Sequence, residues 1–429
     1  MRNILLASIV TALASASYQA GAEKIAIVGG TVYTMTSQTA MKNTTVLINN
    51  DKITAVGQQL DIPDSYRVIN ANGKVVTPGF MGAYTALGLV EVDLSAGTVD
   101  ASVKDANYSA ALDVSYAVNP DSSLIDITRI EGFTHAATAM QYGAKLFYGQ
   151  GAVISLGDEA NLVTKAKAFM ALDVTNNGAD ANGGSRAALW VKLVSALTEA
   201  SYVTDNMKNQ MLAPSAEWHG EWSKADLNAL APVVTGKMPL LVKADRASDI
   251  RQILALKKQF KNLNITLVGA DEAWRVAEEL AAASISVILS PESNLPYSFE
   301  SLGATQATAG RLEKAGVAVA IGIDTHNIRL APQSAANAVA NGLSWHGALA
   351  SLTTVPAKIY GIDNEVGTIE SGKRANLVVW SGDPLEVMEA AEHVIINGKA
   401  IEMSSRQTKL RDRYLKLNVD KTHQYIKPN

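Results

Sequence analysis

The sequence predicts an α/β fold, a (β/α)8 barrel of the TIM-like type beside a small β-sandwich that both ends of the chain form. Between about Pro78 and Gly361, strand-like and helix-like segments alternate, which is typical of βα units and a parallel sheet. From Glu23 up to this region, and again after it, only strand and turn patterns occur. The 429 residues are enough for one large barrel and one smaller domain.

These patterns divide the chain into four parts. The predicted parts are a signal peptide (1–22), a composite β-sandwich (23–77 with 362–403), the barrel (78–361), and a C-terminal helix and tail (404–429).

The N-terminus has the layout of a secretory signal peptide. Arg2 supplies a positive charge, residues 4–16 are apolar apart from small hydroxyls, and Ala20-Gly21-Ala22 offers small residues before a cleavage point. We therefore expect a periplasmic or secreted protein, the alternative being a buried N-terminal helix. No other segment approaches 18 uninterrupted apolar residues, so we expect no membrane span.

Composition excludes several kinds of function. The chain is 48% hydrophobic and 18% charged, which is ordinary for a globular protein. Its formal charge of −4 gives no reason to expect nucleic acid or an anionic membrane as a partner. Because cysteine is absent, disulfides, thiolate nucleophiles and cysteine-ligated metals are excluded.

Local patterns place individual elements. Short strands are predicted at 24–28 and 31–35 with a turn at Gly29-Gly30, and at 45–48 and 52–56 with a turn at 49–51. In the barrel region, 132–138 and 149–155 are strand candidates, and the Asn- and Gly-rich segment 176–185 is predicted to be a loop. Helices are expected over 185–212 and 406–417, whereas the third and fourth barrel strands cannot be assigned.

One stretch carries a family resemblance. Residues 78–88 read Pro-Gly-Phe-Met-Gly-Ala-Tyr-Thr-Ala-Leu-Gly, which resembles the first barrel strand of the amidohydrolase superfamily, Pro-Gly-Phe-Ile-Asp-Ala-His-Thr-His-Leu-Gly. Residues 239–249 resemble the family's fifth strand, and 372–380 resemble its C-terminal Gly-Lys-x-Ala-Asp-Leu-Val-Val-Trp segment. The Gly-Gln-Gly-Ala-Val-Ile run from Gly149 looks like the periplasmic, imidazolonepropionase-like branch.

The resemblance implies a zinc site, but most of the residues at the metal-ligand positions are different in this sequence. The family holds zinc with two histidines on strand 1, often a lysine or glutamate on strand 4, a histidine on each of strands 5 and 6, and an aspartate on strand 8; the metal-bound hydroxide attacks a carbonyl or amide carbon. Aligned by residue, these positions hold Tyr84 and Ala86, Lys243, and Gly269 or Ala270. Only Asp324 keeps its letter, and one carboxylate cannot hold zinc. We therefore expect no metal and no other cofactor.

Candidate site residues follow from these positions. Asp324 is the candidate base, and the Lys243 ammonium is expected to occupy the volume of the lost cation and neutralise it, unless the lysine extends to solvent. His326, two residues further on, is a weaker catalytic candidate that could instead cap a loop. The candidate ligand-binding residues are Tyr84, Arg246, Asn327 and Arg329.

Three functions remain open at this point. The first is a periplasmic amidohydrolase-like protein without its metal, which binds a small molecule or peptide at the barrel mouth or accompanies a catalytically intact relative. The second is a working hydrolase of carbon–nitrogen bonds, in cyclic amides or dipeptide-like substrates, with Asp324 as base. The third is a structural subunit. Homo-oligomerisation is left open.

Overall fold

The computed structural model describes residues 23–105, 107–143, 145–206, 217–323, 325 and 327–415. The strands in this part of the chain are β1 (Lys24–Val32), β2 (Met41–Asn49), β3 (Lys52–Gly57), β4 (Arg67–Asn70), β5 (Val75–Pro78), β6 (Phe80–Thr85), β7 (Ser102–Val103), β8 (Phe133–Thr138), β9 (Tyr142–Gly143), β10 (Phe147–Ser155), β11 (Val163–Asp173), β12 (Leu240–Ala244), β13 (Ile265–Gly269), β14 (Ser286–Leu289), β15 (Val319–Ile321), β16 (Leu377–Trp380), β17 (Ala391–Ile396) and β18 (Lys399–Ala400). The α-helices are α1 (Ser123–Arg129), α2 (Asn176–Ala181), α3 (Arg186–Asn206), α4 (Lys224–Val234), α5 (Ala247–Gln259), α6 (Ala277–Ala282), α7 (Thr308–Lys314), α8 (Ala331–Ala340), α9 (Trp345–Ser351), α10 (Thr354–Ile359) and α11 (Arg406–Leu415).

The barrel predicted from the sequence is confirmed. Its strands are ordered β15-β14-β13-β12-β11-β10-β8-β6. A parallel bridge pairs Tyr84 of β6 with Ile323, two residues beyond the end of β15, and the Tyr84 N–H donates a 3.1 Å hydrogen bond to the carbonyl of Gly322. This pairing closes the sheet upon itself.

One barrel strand runs against the others, which the prediction of an all-parallel sheet did not include. Strand β10 is antiparallel to both of its neighbours, β8 and β11. Parallel strands need a long crossover, usually a helix, whereas antiparallel strands can be joined by short loops. Only residues 156–162 separate β10 from β11, so this connection has no room for a crossover helix and the strand must reverse direction.

Aromatic side chains fill the barrel interior. The ring of Phe169 lies 5.1 Å from that of Tyr360 and 6.4 Å from that of Tyr84, measured between centroids. The buried Tyr360 hydroxyl donates a hydrogen bond to the carbonyl of Ala83. The interior is therefore packed, as in other barrels of this size, and the accessible space lies at the strand ends.

Strands from both ends of the chain share the second sheet. Its order is β18-β17-β16-β5-β1-β2-β3, with β4 paired to β1. The two chain ends meet where β5 pairs antiparallel with β16, and the Trp380 indole donates a 2.9 Å hydrogen bond to the Thr77 hydroxyl. Trp380 also packs on Phe80, with 4.9 Å between ring centroids, which attaches this sheet to the first barrel strand.

Two local expectations were wrong. Gly29-Gly30 is not a turn between two strands but an irregularity within β1, where the register against β2 shifts. Residues 176–181 form helix α2 rather than a loop. A side chain at Gly178 would lie 2.0 Å from the carbonyl oxygen of Asp173, so this glycine allows α2 to pack on the end of β11. The turn after Asn49 is confirmed as the β2–β3 hairpin.

The two ends of the sequence lie outside this description. The expected signal peptide (1–22) and the tail from 416 onward are not among the described residues, and neither are 207–216 at the end of the predicted helix after Ser185. Among the residues that are described, no helix combines the length and the apolar character needed to cross a bilayer.

Candidate functional site at the barrel mouth

A cavity of about 180 Å³ opens at the carboxyl ends of the barrel strands. Residues of the first, second, fifth, sixth, seventh and eighth barrel strands, or of the loops that follow them, line this cavity. The lining residues are Tyr84, Gln141, Lys243, Asp245, Val268, Gly269, Asp271, Ser290, Ser293, Tyr297 and Ile323. Two residues singled out in the sequence, Tyr84 and Lys243, are therefore brought together here.

Tyr84 occupies the first metal-ligand position of the resemblance. Its side chain is buried, and its hydroxyl donates a 3.3 Å hydrogen bond to the carbonyl of Met140. Burial, and secondarily the negative charge of Asp173, raises the pKa of the phenol well above its ordinary value. Tyr84 is therefore a neutral hydrogen-bond donor at physiological pH and not an anionic ligand.

Asp173 is a buried carboxylate at the end of a barrel strand that the sequence analysis missed, although it does not line the cavity. It ends β11, the fourth barrel strand, and lies opposite Lys243 in the parallel pairing with β12. Its side chain is only 1% exposed and accepts hydrogen bonds from the Tyr148 hydroxyl (3.0 Å) and the backbone N–H of Thr175 (2.7 Å). The sequence contained one signal for this residue, because Asp173 is an acidic residue that directly follows the apolar run from Phe169.

We expect the Tyr148→Phe substitution to destabilise the protein by about 1.5 kcal/mol, because it removes a buried hydrogen bond to a carboxylate while keeping the ring. Burial and the nearby Asp173 raise the pKa of Tyr148, so its hydroxyl keeps the proton that it donates. The measurement is urea unfolding at pH 7, with Tyr116→Phe as control because Tyr116 is 89% exposed. Equal effects of the two substitutions would contradict the assigned hydrogen bond.

Two carboxylates form the acidic side of the cavity. Asp245 is 6% exposed, and burial followed by repulsion from Asp271 raises its pKa to about 7, while Lys243 opposes the rise. Asp271 is 8% exposed, and burial raises its pKa as well, against the opposing effect of the Ser293 hydroxyl. Among the described residues, Asp271 Oδ2 has no hydrogen-bond partner. Neither carboxylate was among the sequence candidates, because their burial depends on the tertiary structure.

Gly269 makes room for one of these carboxylates. It ends the sixth barrel strand with a left-handed φ of 84°, and a Cβ atom there would lie 2.5 Å from Asp245 Oδ1. The carboxylate of Asp245 thus fills the space into which a side chain at position 269 would project. A histidine at this position would require both a strained backbone and displacement of Asp245.

The described residues at this mouth do not fit the zinc ion that the resemblance implies. Zinc needs three or four deprotonated nitrogen, oxygen or sulfur donors. The ligand positions hold a protonated phenol (Tyr84) and a lysine (Lys243), beside the Asp173 carboxylate. Within the described ranges, no group of three or more His, Asp or Glu side chains is placed to hold a metal ion.

The other sequence candidates are placed as follows. Asp324 and His326 lie outside the described residues, so the pairing of Lys243 with Asp324 stays a prediction. Arg246 does not line the cavity; its guanidinium binds Asp249 through two hydrogen bonds of 2.9 and 2.8 Å.

Asn327 and Arg329 do not line the 180 Å³ cavity either. Asn327 lines a neighbouring cavity of about 260 Å³ and accepts a 3.1 Å hydrogen bond from Arg329. Their proposed role in ligand binding, like that of Arg246, stays a prediction.

A family model, a curated protein and a solved structure that are similar to this chain are all described as amidohydrolases. The family described as "Amidohydrolase family" matches residues 246–401. A curated relative, the amidohydrolase tasK of Hapsidospora irregularis, is 48% identical over 59 residues, which is 14% of this chain. The matched region spans 6% of that relative's length.

Solved structures match over most of the chain. An amidohydrolase from Thermotoga maritima is 25% identical with a TM-score of 0.78, covering 88% of this chain and 99% of its own. A molinate hydrolase is 17% identical with a TM-score of 0.56, covering 95% and 99%. A Xaa-Pro dipeptidase with bound methionine is 15% identical with a TM-score of 0.56, covering 89% and 100%. The last two similarities show a shared fold.

Proposed function

Because this chain belongs to the amidohydrolase superfamily, we propose that it is a non-catalytic member whose barrel mouth binds a small molecule where its relatives carry out hydrolysis. Function depends on the site and not on the fold, so the proposal rests on the residues at the mouth. The single observation that carries it is Lys243, an ammonium side chain at a metal-ligand position, in the same cavity as Tyr84 and two buried carboxylates.

Electrostatics explain why this arrangement favours binding without a metal. A lysine and a divalent cation in the same small cavity would repel each other. Without a metal, the positive charge of Lys243 favours the ionised form of Asp245 and lowers its pKa. The Tyr84 phenol keeps its proton because of burial. The cavity therefore contains fixed charges and hydrogen-bond donors that suit a polar ligand.

A second candidate function is hydrolysis of carbon–nitrogen bonds by an atypical site. One observation favours it: the pKa of Asp245 is about 7, and a general base works best when its pKa is close to the working pH. In this alternative, Asp245 or Asp324 would take a proton from water as it attacks a cyclic amide or a dipeptide-like substrate.

Metal analysis of the purified full chain tests the proposal. After incubation with zinc and removal of free metal, we expect well below one zinc ion per chain, and no hydrolysis of a panel of cyclic amides and dipeptides. The matched variants are Asp324→Asn, at the aspartate position that the family resemblance predicts on strand 8, and His393→Ala on the second sheet. Stoichiometric zinc that is lost in Asp324→Asn but kept in His393→Ala would overturn the proposal.

The assay separates the second candidate as well. Hydrolysis that persists with chelator and is lost in Asp245→Asn or Asp324→Asn would favour the atypical hydrolase over the binding protein.

The proposal includes export to the periplasm, which the charge and apolar pattern of residues 1–22 supports. We expect the mature protein to begin at Glu23 when the full chain is produced in a Gram-negative host. N-terminal sequencing of protein released by osmotic shock is the measurement. Recovery of the uncleaved chain from the cytosol alone would contradict export.

A further inference from the structure

The cavity at the barrel mouth has an acidic side that the proposed function does not explain. Asp245 and Asp271 both line it, and both are more than nine-tenths buried. Burying two carboxylates near one another is unfavourable unless something compensates their charge. Lys243 is the one cationic side chain that lines the cavity beside these two carboxyl groups, counted among the described residues.

The carboxyl group of Asp271 indicates which kind of ligand group the cavity binds. Its Oδ2 atom is buried and has no hydrogen-bond partner among the described residues. Buried polar atoms in native structures are nearly always paired, so an unpaired carboxylate oxygen on a cavity wall indicates a place for a donor from a ligand. Since carboxylates accept the strongest hydrogen bonds from charged donors, a cationic N–H group satisfies this oxygen best.

Aromatic rings complete the surroundings. Tyr84 and Tyr297 both line the cavity; Tyr84 is buried, whereas Tyr297 is 75% exposed. Aromatic faces attract organic cations through the electron density of the ring. Carboxyl groups and tyrosine rings that line one cavity are a combination that recognises an ammonium group.

We propose that the barrel mouth binds a small primary amine, whose ammonium group donates hydrogen bonds to Asp271 and Asp245. This inference rests on the proposed function, because it specifies the ligand that the mouth takes. The volume of about 180 Å³ equals roughly six water volumes of about 30 Å³ each, so the part of the ligand that enters the cavity is small.

Three probes of nearly equal size and different charge test the inference. They are propylammonium, propionamide and propionate, titrated into the full chain at pH 7.5 with binding followed by calorimetry or ligand-observed NMR. We expect propylammonium to bind at least about 10-fold more tightly than propionamide, with propionate weakest, since charge-assisted hydrogen bonds are stronger than neutral ones.

Matched variants locate the binding. Asp271→Asn keeps the side-chain shape and removes the charge, and we expect it to weaken propylammonium binding about 10-fold or more. Asp245→Asn should weaken it in the same direction. The control is Asp64→Asn, which makes the same charge change on an exposed residue of the turn before β4, outside the cavity. Asp64→Asn should bind propylammonium like the wild type.

Each other outcome overturns the inference. Tighter binding of propionate would assign the cavity to anions held by Lys243, while the non-catalytic binding function would still stand. Equal binding of the three probes, no binding of any, or undiminished propylammonium binding in Asp271→Asn would each remove the amine assignment. The zinc measurement decides the proposed function separately.

Discussion

Replacing Asp245 by asparagine is expected to stabilise the protein above pH 7, by up to about 4 kcal/mol, and to change its stability little below pH 4. Burial and the neighbouring Asp271 raise the pKa of Asp245 from 3.8 to about 7. At about 1.4 kcal/mol per pH unit, this difference corresponds to about 4 kcal/mol.

The direction follows from proton binding in the two states. Between pH 3.8 and about 7 the folded protein keeps the Asp245 proton, whereas the unfolded chain has released it. The wild type therefore loses stability as the pH rises through this window, and the loss is complete above it. Asparagine does not titrate, so the difference between variant and wild type grows over the same window.

Urea unfolding of both proteins from pH 4 to pH 8.5 measures this effect. The control is Asp64→Asn, which removes an exposed carboxylate and should change stability by less than about 0.5 kcal/mol at every pH. A constant difference between Asp245→Asn and wild type across the range would show that the pKa of Asp245 is not raised in the folded protein.

A residue that destabilises the protein at neutral pH calls for a functional explanation. Strained or unfavourable groups persist at sites where they act on a ligand, and substitutions that relieve them commonly cost function. Asp245→Asn is therefore expected to gain stability and to lose ligand binding together.

The Gly269→Ala substitution is expected to cost about 2–4 kcal/mol. Two effects contribute: the φ of 84° is unfavourable for any residue with a Cβ atom, and that atom would lie 2.5 Å from Asp245 Oδ1. Thermal and urea unfolding at pH 7.5 measure the cost. At this pH, Asp245 is mostly ionised in both the folded and the unfolded protein.

A matched glycine separates the two effects. Gly316 has a φ of 88° and nothing within 4 Å of the place where a Cβ atom would stand, so Gly316→Ala should show the backbone effect alone, about 1 kcal/mol. In an Asp245→Ala background the contact disappears, and the cost of Gly269→Ala should fall toward the same value. An unchanged cost in that background would show that Asp245 does not occupy the space beside Gly269.

How much of the site could be foreseen differs from residue to residue. Tyr84 and Lys243 were identified from the sequence because the residues around each of them match the strand pattern of the amidohydrolase superfamily. Both residues line the cavity. Asp173, Asp245 and Asp271 were not identified, although Asp245 lies only two residues beyond Lys243. Asp173 ends an apolar run, which was a local signal, but acidic residues after a strand are common in exposed loops, and nothing local in the sequence indicates that Asp245 and Asp271 are buried.

The fold, like the site, has features that the sequence predicted and features that it did not. The alternation of strands and helices predicted the barrel, because hydrophobic periodicity is a local property. The reversed direction of β10 depends on how short its loops are relative to the crossover that a parallel strand needs, and this requires the strand boundaries themselves.

The sequence by itself determined the fold class, the resemblance to the amidohydrolase superfamily, and the identity of the side chains at the strand ends that can be aligned with the ligand positions of that resemblance. Only the tertiary structure decided that Asp245 and Asp271 are buried together beside Lys243, with an unpaired carboxylate oxygen and Gly269 leaving the space for it. The physical reason is that burial, pKa and hydrogen-bond partners arise from residues that are distant in the chain and meet only when the barrel closes.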